Sequence, residues 1–191
     1  MVPRKNRAFE LLEWVGSDKL TLVDADRGWP SKFECKTRSG VVTISVYFGR
    51  IGLSHRDRDD VERRFQNPGP NCPVLKPKAD EIPIMLGTTQ VEKQPVVVGM
   101  DAHKRIGKLT RQSLFLPLVL LEGGAREGWK EHTSMAKERV VAFVPQLLPL
   151  FVDAYPNRRP VTDKEIAAAL RAAGVTLRSR GAASKDGPDE D

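Results

Sequence analysis

The stretch "KFECKTRSGVVTISVYFGR", residues 32–50, decides the fold. Two strand-like runs are separated by Arg38-Ser39-Gly40, a sequence typical of a tight turn. In the second run, apolar residues alternate with more polar ones. One face of the strand therefore carries Val42, Ile44, Val46 and Phe48, and the other carries Thr43, Ser45 and Tyr47. This alternation predicts an antiparallel hairpin whose second strand is buried on one face.

Further strands and helices follow on both sides of this hairpin. Short apolar runs predict strands at Leu20–Asp24, Ile82–Leu86, Pro95–Met100 and Val140–Val144. Helices are predicted at Arg4–Val15, at Gln146–Tyr155 and after Thr162, where Glu165 completes a capping box. The predicted fold is α+β: a curved, mostly antiparallel sheet or open, barrel-like sheet of six or seven strands, with helices near both ends.

Two regions have patterns that are harder to assign. The charged segment Ser54–Phe65 is interpreted as a short helix or an extended loop. The segment Leu114–Gly128 predicts the end of a strand and then a short helix broken at Gly123-Gly124.

Charge is unevenly distributed along the 191 residues, which carry a net charge of +6. Residues 181–191 contain four acidic residues against one lysine, a sum of −3, so the first 180 residues carry +9. We expect one DNA-binding domain over residues 1–178 and a polar, acidic tail or linker over 179–191, because a basic surface favours a polyanionic partner. The alternative is an ordinary solubilising surface.

Several function classes lack support in the sequence. No apolar run approaches the roughly 20 residues of a membrane span, and the N-terminus does not resemble a signal peptide. The two cysteines, without CxxC spacing, favour a cytoplasmic protein with neither a disulfide scaffold nor a zinc site. The Walker, GxSxG and HExxH motifs are absent, so we expect no catalytic site, no metal, no cofactor and no membrane partner.

Two basic groups are the candidate DNA contacts. One lies between two apolar runs and has no acidic residue between Asp101 and Glu122; it contains His103, Lys104, Arg105, Lys108 and Arg111. The other has acidic residues interleaved that can neutralise it, and contains Arg56, Arg58, Arg63 and Arg64. Both suit contacts to phosphates, and arginine also suits bidentate contacts to bases.

Two aromatic residues are candidates for stacking on a base. Trp29 lies in the turn Gly28-Trp29-Pro30, and Tyr47 lies on the polar face of its predicted strand. For Trp29 the alternative is packing over the hairpin.

One set of residues loosely matches the pattern of restriction-type nucleases. Asp24 ends one strand, and Glu34 and Lys36 lie on the next, an arrangement that can hold Mg²⁺ and activate water. The alternative places Glu34 and Lys36 on the solvent face of the hairpin, with Phe33 and Cys35 inside.

The succession "VERRFQNPG", "PVVVGMDAH", "TRQSLFLPL" and "ERVVAFVPQLLPLFV" resembles the DNA-recognition and accessory modules of bacterial restriction enzymes and methylases, over residues 41–155. The resemblance implies a role in bacterial defence beside a nuclease domain or subunit. We therefore predict double-stranded DNA binding, of a specific or modified sequence, within a restriction–modification or modification-dependent restriction system. The alternatives are a Mg²⁺-dependent restriction-type endonuclease and a protein–protein adaptor.

Overall fold

A computed structural model describes residues 4–24, 29–54, 57–58, 60–66, 73–108, 113–154 and 159–177. Within these ranges there are nine strands, four α-helices and two single 3-10 turns. The strands are β1 (Leu20–Asp24), β2 (Ser31–Thr37), β3 (Gly40–Leu53), β4 (Glu62–Gln66), β5 (Glu81–Val91), β6 (Gln94–Asp101), β7 (Ser113–Pro117), β8 (Trp129–Thr133) and β9 (Arg139–Phe143). The helices are α1 (Arg4–Val15), α2 (Leu118–Glu127), α3 (Leu148–Ala154) and α4 (Asp163–Ala172), and the 3-10 turns are His103–Arg105 and Pro145–Leu147.

Seven of these strands form one continuous sheet in the order β1-β2-β3-β5-β6-β9-β8. The β3–β5 pair is parallel, and the other neighbouring pairs along this path are antiparallel. Strands β1 and β8 lie at opposite ends of the order, so this sheet does not close into a barrel. The predicted α+β fold with a mostly antiparallel sheet is confirmed.

A second, smaller sheet extends from the end of β3. Residues Arg50–Leu53 of β3 pair with β4, and β4 pairs with β7, giving a three-stranded antiparallel ribbon. The apolar side of this ribbon packs with α2 on one face of the main sheet, while α1, α3 and α4 cover the other face. The middle of β3, residues 44–49, is therefore buried on both faces, and the prediction that only one face of this strand is buried was wrong there.

The ribbon is held against the sheet by Phe65, whose ring lies over two glycines. A Cβ atom on Gly49 would lie 2.3 Å from the Cζ atom of Phe65, and one on Gly87 would lie 2.6 Å from its Cε2 atom. Only a residue without a side chain permits this approach, since interiors are packed to van der Waals contact. Phe65 thereby fixes where β4 lies on the sheet.

The structure corrects two of the sequence assignments. The end of the charged segment 54–65 is neither helix nor loop but part of β4, whose alternation places Phe65 on the inner side and Arg64 on the outer side. Helix α2 continues through Gly123 and Gly124, where the close approach of Lys130 and Ala142 leaves no room for a side chain.

The prediction for α4 is confirmed in detail. The Thr162 hydroxyl accepts a hydrogen bond from the Glu165 backbone N–H, and the Glu165 carboxylate accepts one from the Thr162 N–H. Among the described residues, no helix combines the length and apolarity needed to cross a bilayer.

Candidate nucleic-acid interface

The basic segment after β6 is an ordered turn. The Asp101 carboxylate accepts a hydrogen bond from the His103 backbone N–H at 2.9 Å, and the same oxygen lies 2.6 Å from His103 Nδ1. Gly107 adopts a left-handed conformation (φ +72°), and its N–H donates to the carbonyl of Val74. Backbone contacts at both ends thus position the cations of this turn.

This turn packs against the tip of the β8–β9 hairpin. The Arg105 guanidinium donates to the Glu138 carboxylate at 2.8 Å, with only 5% and 16% of the two side chains exposed. Lys104 Nζ donates to the carbonyl of Lys137 at 3.4 Å. Because these contacts join the two segments, we call residues 101–108 and 133–139 together the turn–hairpin unit.

The turn–hairpin unit changes the set of candidate phosphate contacts. Arg105 was predicted to contact DNA, but it is buried and its charge is balanced by Glu138, which lies 33 residues further along the chain. His103, Lys104 and Lys108 are exposed, and the structure adds exposed Lys137 beside them. Arg111 lies outside the described residues.

A second basic surface lies on the outer side of the ribbon. Directly paired residues of neighbouring strands face the same side, and the register pairs Arg50 with Gln66 and Arg64 with Phe115. Gln66 also pairs with Ser113, and the two side chains are hydrogen-bonded at 3.3 Å. We call the set Arg50, Arg64, Gln66, Ser113 and Phe115 the ribbon face.

The arginines of the other predicted group, residues 56–64, lie at different places in the structure. Arg58 is exposed and lies 4.0 Å from the buried carboxylate of Glu62, which shares the outer side of β4. Arg63 belongs to the opposite side of β4, and its guanidinium donates to its neighbour's carbonyl. Arg56 lies outside the described residues, so Arg64 is the member of that group that the register places on the ribbon face.

The two basic surfaces are close along the chain. Lys108 and Ser113 are five residues apart, a step that spans at most about 18 Å when fully extended. That distance corresponds to roughly five base pairs of B-DNA at about 3.4 Å per base pair. Lys108 and Ser113 can therefore be no further apart than about 18 Å.

The two residues predicted to stack on a base make contacts within the protein instead. Tyr47 is buried, and its hydroxyl accepts from the N–H of Leu75 at 3.1 Å and is 3.4 Å from its carbonyl. Trp29 is half-buried; its indole N–H donates to the carbonyl of Pro73, and its ring meets Tyr47 edge-on, with centroids 5.0 Å apart. The placement of Tyr47 on an exposed polar face was wrong, because the segment 73–78 covers it.

The nuclease-like residues occupy β1 and β2. Asp24 pairs with Lys32 in the register, whereas Glu34 pairs with Thr21. Glu34 and Lys36 are exposed, while their neighbours Phe33 and Cys35 are buried. Within the described parts of the chain, no group of three or more His, Cys, Asp or Glu side chains could hold a metal ion.

A different ionic cluster lies next to this set. The Glu81 carboxylate accepts hydrogen bonds from Lys32 Nζ at 2.5 Å and from Ser45 Oγ at 3.0 Å. Burial acts to raise the pKa of Glu81, but these hydrogen bonds and the charge of Lys32 outweigh it and leave the pKa below its usual value. The cluster ties β2, β3 and β5 together.

Residues missed by the sequence interpretation share one property: their role depends on pairing with distant segments. Lys137 joins the basic turn through the Arg105–Glu138 contact, and Gln66, Ser113 and Phe115 join the ribbon face through strand register. Alternation within "ERRFQ" was the available signal, since it separates Phe65 from Arg64 and Gln66.

Comparison with known protein families gives a match over the middle of the chain. No curated protein and no solved structure matches the chain. The family model described as methylase-associated X1 matches residues 42–152, which is more than half of the chain and includes both basic surfaces. The predicted resemblance to modules that accompany restriction enzymes and methylases is confirmed, and the chain belongs to the methylase-associated X1 family, which suggests a restriction–modification context.

Proposed function

We propose that this protein binds double-stranded DNA through the turn–hairpin unit and the ribbon face, as an accessory module of a restriction–modification system. The observation that carries the proposal is the pair of basic surfaces within the family-matched region, which four residues of chain separate. The family description supplies the context, because methylases of restriction–modification systems act on DNA.

The chemistry of the two surfaces suits different parts of a duplex. Exposed lysines of the turn–hairpin unit act as point charges for phosphates, and binding releases the counterions condensed there. The ribbon face combines arginines with an amide, a hydroxyl and an aromatic ring. The major groove admits a two-stranded β-ribbon, and the β3–β4 pair is the part of the ribbon that carries Arg50, Arg64 and Gln66. We therefore assign phosphate contacts to Lys104 and Lys137 and groove contacts to Arg50, Arg64 and Gln66.

The test is the fluorescence anisotropy of labelled duplexes, either plain, methylated or carrying other modified bases. Charge reversal on each surface, Lys104→Glu/Lys137→Glu and Arg50→Glu/Arg64→Glu, is expected to weaken binding by at least about tenfold. Both pairs of positions retain solvent access, so the fold should persist, which circular dichroism checks.

A matched control comes from α4, which lies outside the family-matched region. Lys164→Glu/Arg171→Glu makes the same change of charge at two exposed positions and is expected to leave the affinity within about twofold. If the control weakens binding as much as the two test variants, net charge rather than these surfaces governs binding. If the wild-type chain binds no duplex but binds a methylase subunit, the adaptor alternative replaces the proposal. If the wild-type chain cleaves the duplex when Mg²⁺ is added, the nuclease alternative is favoured.

A further inference from the structure

The tip of the β8–β9 hairpin presents an apolar side chain to solvent. Met135 is 98% exposed, the highest value among the exposed large apolar side chains of the described residues. Single exposed apolar residues are common on protein surfaces, so exposure alone assigns no role. The surroundings of Met135 are what distinguish it.

The backbone around Met135 is held in one conformation. Ser134 is buried, its N–H donates to the carbonyl of Glu138 at 2.9 Å, and its hydroxyl accepts from the Glu138 N–H at 3.1 Å. The N–H of Lys137 also donates to the carbonyl of Ser134 at 2.8 Å. Met135 therefore projects from a closed, hydrogen-bonded loop.

A buried ion pair connects this loop to the basic turn. Glu138 follows the tip directly, and its carboxylate pairs with buried Arg105. Placing an ion pair where water is largely excluded costs desolvation, but it defines the relative position of the two segments. The tip and the cations of the turn thus form one preformed unit.

Cations lie immediately beside the tip. Lys104 Nζ donates to the backbone carbonyl of Lys137, which lies two residues after Met135, and the side chains of both lysines are exposed. The nearby acid on the hairpin stem, Glu131, is paired with Arg139 at 2.5 Å. The tip thereby offers an apolar residue flanked by positive charge.

We infer that Met135 is an apolar wedge that inserts between two base pairs of the duplex and kinks it, while Lys104 and Lys137 hold the flanking phosphates. Side chains of this kind, methionine among them, unstack base steps from the minor groove and bend DNA by roughly 20–90°. This inference rests on the proposed function, because it assigns a role to one residue of the same DNA-binding surface.

The experiment measures the bend directly. A duplex with flexible TA steps, labelled with a donor and an acceptor at its two ends, is titrated with the full chain, and energy transfer reports the end-to-end distance. We expect the wild-type chain to raise energy transfer, Met135→Ala to bind without raising it, and Met135→Leu to retain the bend. Since residue 135 is almost fully exposed, these substitutions leave the core unchanged.

Val119→Ala is the matched control, because Val119 is also an exposed apolar residue but lies on α2. It is expected to bend the duplex as the wild type does. If the wild-type chain binds without bending the duplex, or if Met135→Ala bends it as much as the wild type does, Met135 is not a wedge. The proposed DNA binding is unaffected by either result. If the wild-type chain binds no DNA in anisotropy, the proposed function fails and the wedge fails with it.

Discussion

The ion pair between Arg105 and Glu138 provides a quantitative test of the turn–hairpin unit. Glu138→Ala removes the carboxylate that lies 2.8 Å from the buried Arg105 guanidinium. Removing one member of a buried pair typically costs about 3–5 kcal/mol. Glu138 keeps 16% of its side-chain exposure, so water can partly solvate the guanidinium, and we expect the lower end, about 3 kcal/mol.

The loss is measured by urea unfolding and by the midpoint of thermal unfolding. For a chain of this size, about 3 kcal/mol corresponds to a decrease in Tm of roughly 6–12 °C. Glu127→Ala is the control, because Glu127 forms an exposed pair with Lys130 at 3.1 Å and its loss should change stability by less than about 0.5 kcal/mol. The double variant Arg105→Met/Glu138→Leu should recover most of the loss, since apolar side chains replace both charges. A decrease for Glu138→Ala no larger than that of the control would refute the reasoning.

Two further predictions concern the core and α4. Gly49→Ala places a methyl group against the ring of Phe65, so we expect a loss of about 1–3 kcal/mol in the free energy of unfolding, measured in urea. An unchanged free energy of unfolding would show that the ring does not need the space left by Gly49. Hydrogen bonds from the Thr162 N–H and hydroxyl, and from Arg159, lower the pKa of Glu165 from 4.5 to about 2. Because the folded-state pKa is the lower one, the cap stabilises α4 above about pH 4.5 and is lost as the pH falls toward about 2. Comparing the Tm of wild type and Glu165→Gln over this range tests it: the advantage of the wild type should shrink with acid, and a constant difference would contradict the prediction.

Local patterns were sufficient to predict much of the fold. Alternation in residues 32–50 correctly predicted the β2–β3 hairpin, and the Thr162–Glu165 spacing correctly predicted the start of α4. Each of these elements carries its signal within a few residues, because strand faces and helix caps are local properties.

The ribbon could not be predicted in this way. "ERRFQ" is rich in charge and short, and its strand conformation depends on pairing with β3 and β7 and on the space that Gly49 and Gly87 leave for Phe65. The burial of Tyr47 likewise depends on a distant segment that covers it. Contacts between residues far apart in sequence override local preference at these positions.

The candidate interface shows the same division. The sequence located the basic turn, and two of its cations, Lys104 and Lys108, are exposed in the structure together with His103. Arg105 differs because its partner, Glu138, comes from a hairpin that periodicity did not reveal. The ribbon face required the strand register, which places Arg50 beside Gln66.

The salt dependence of duplex binding tests the central claim most directly. Each phosphate contact contributes about 0.9 to the slope of the logarithm of the association constant against the logarithm of the salt concentration. Replacing Arg50, Arg64, Lys104 and Lys137 by alanine is therefore predicted to make the slope less steep by about 2, because Lys104 and Lys137 are the two residues assigned to phosphates. A wild-type affinity that does not change between about 50 and 200 mM salt, or a variant whose slope equals that of the wild type, would contradict DNA binding through these two surfaces.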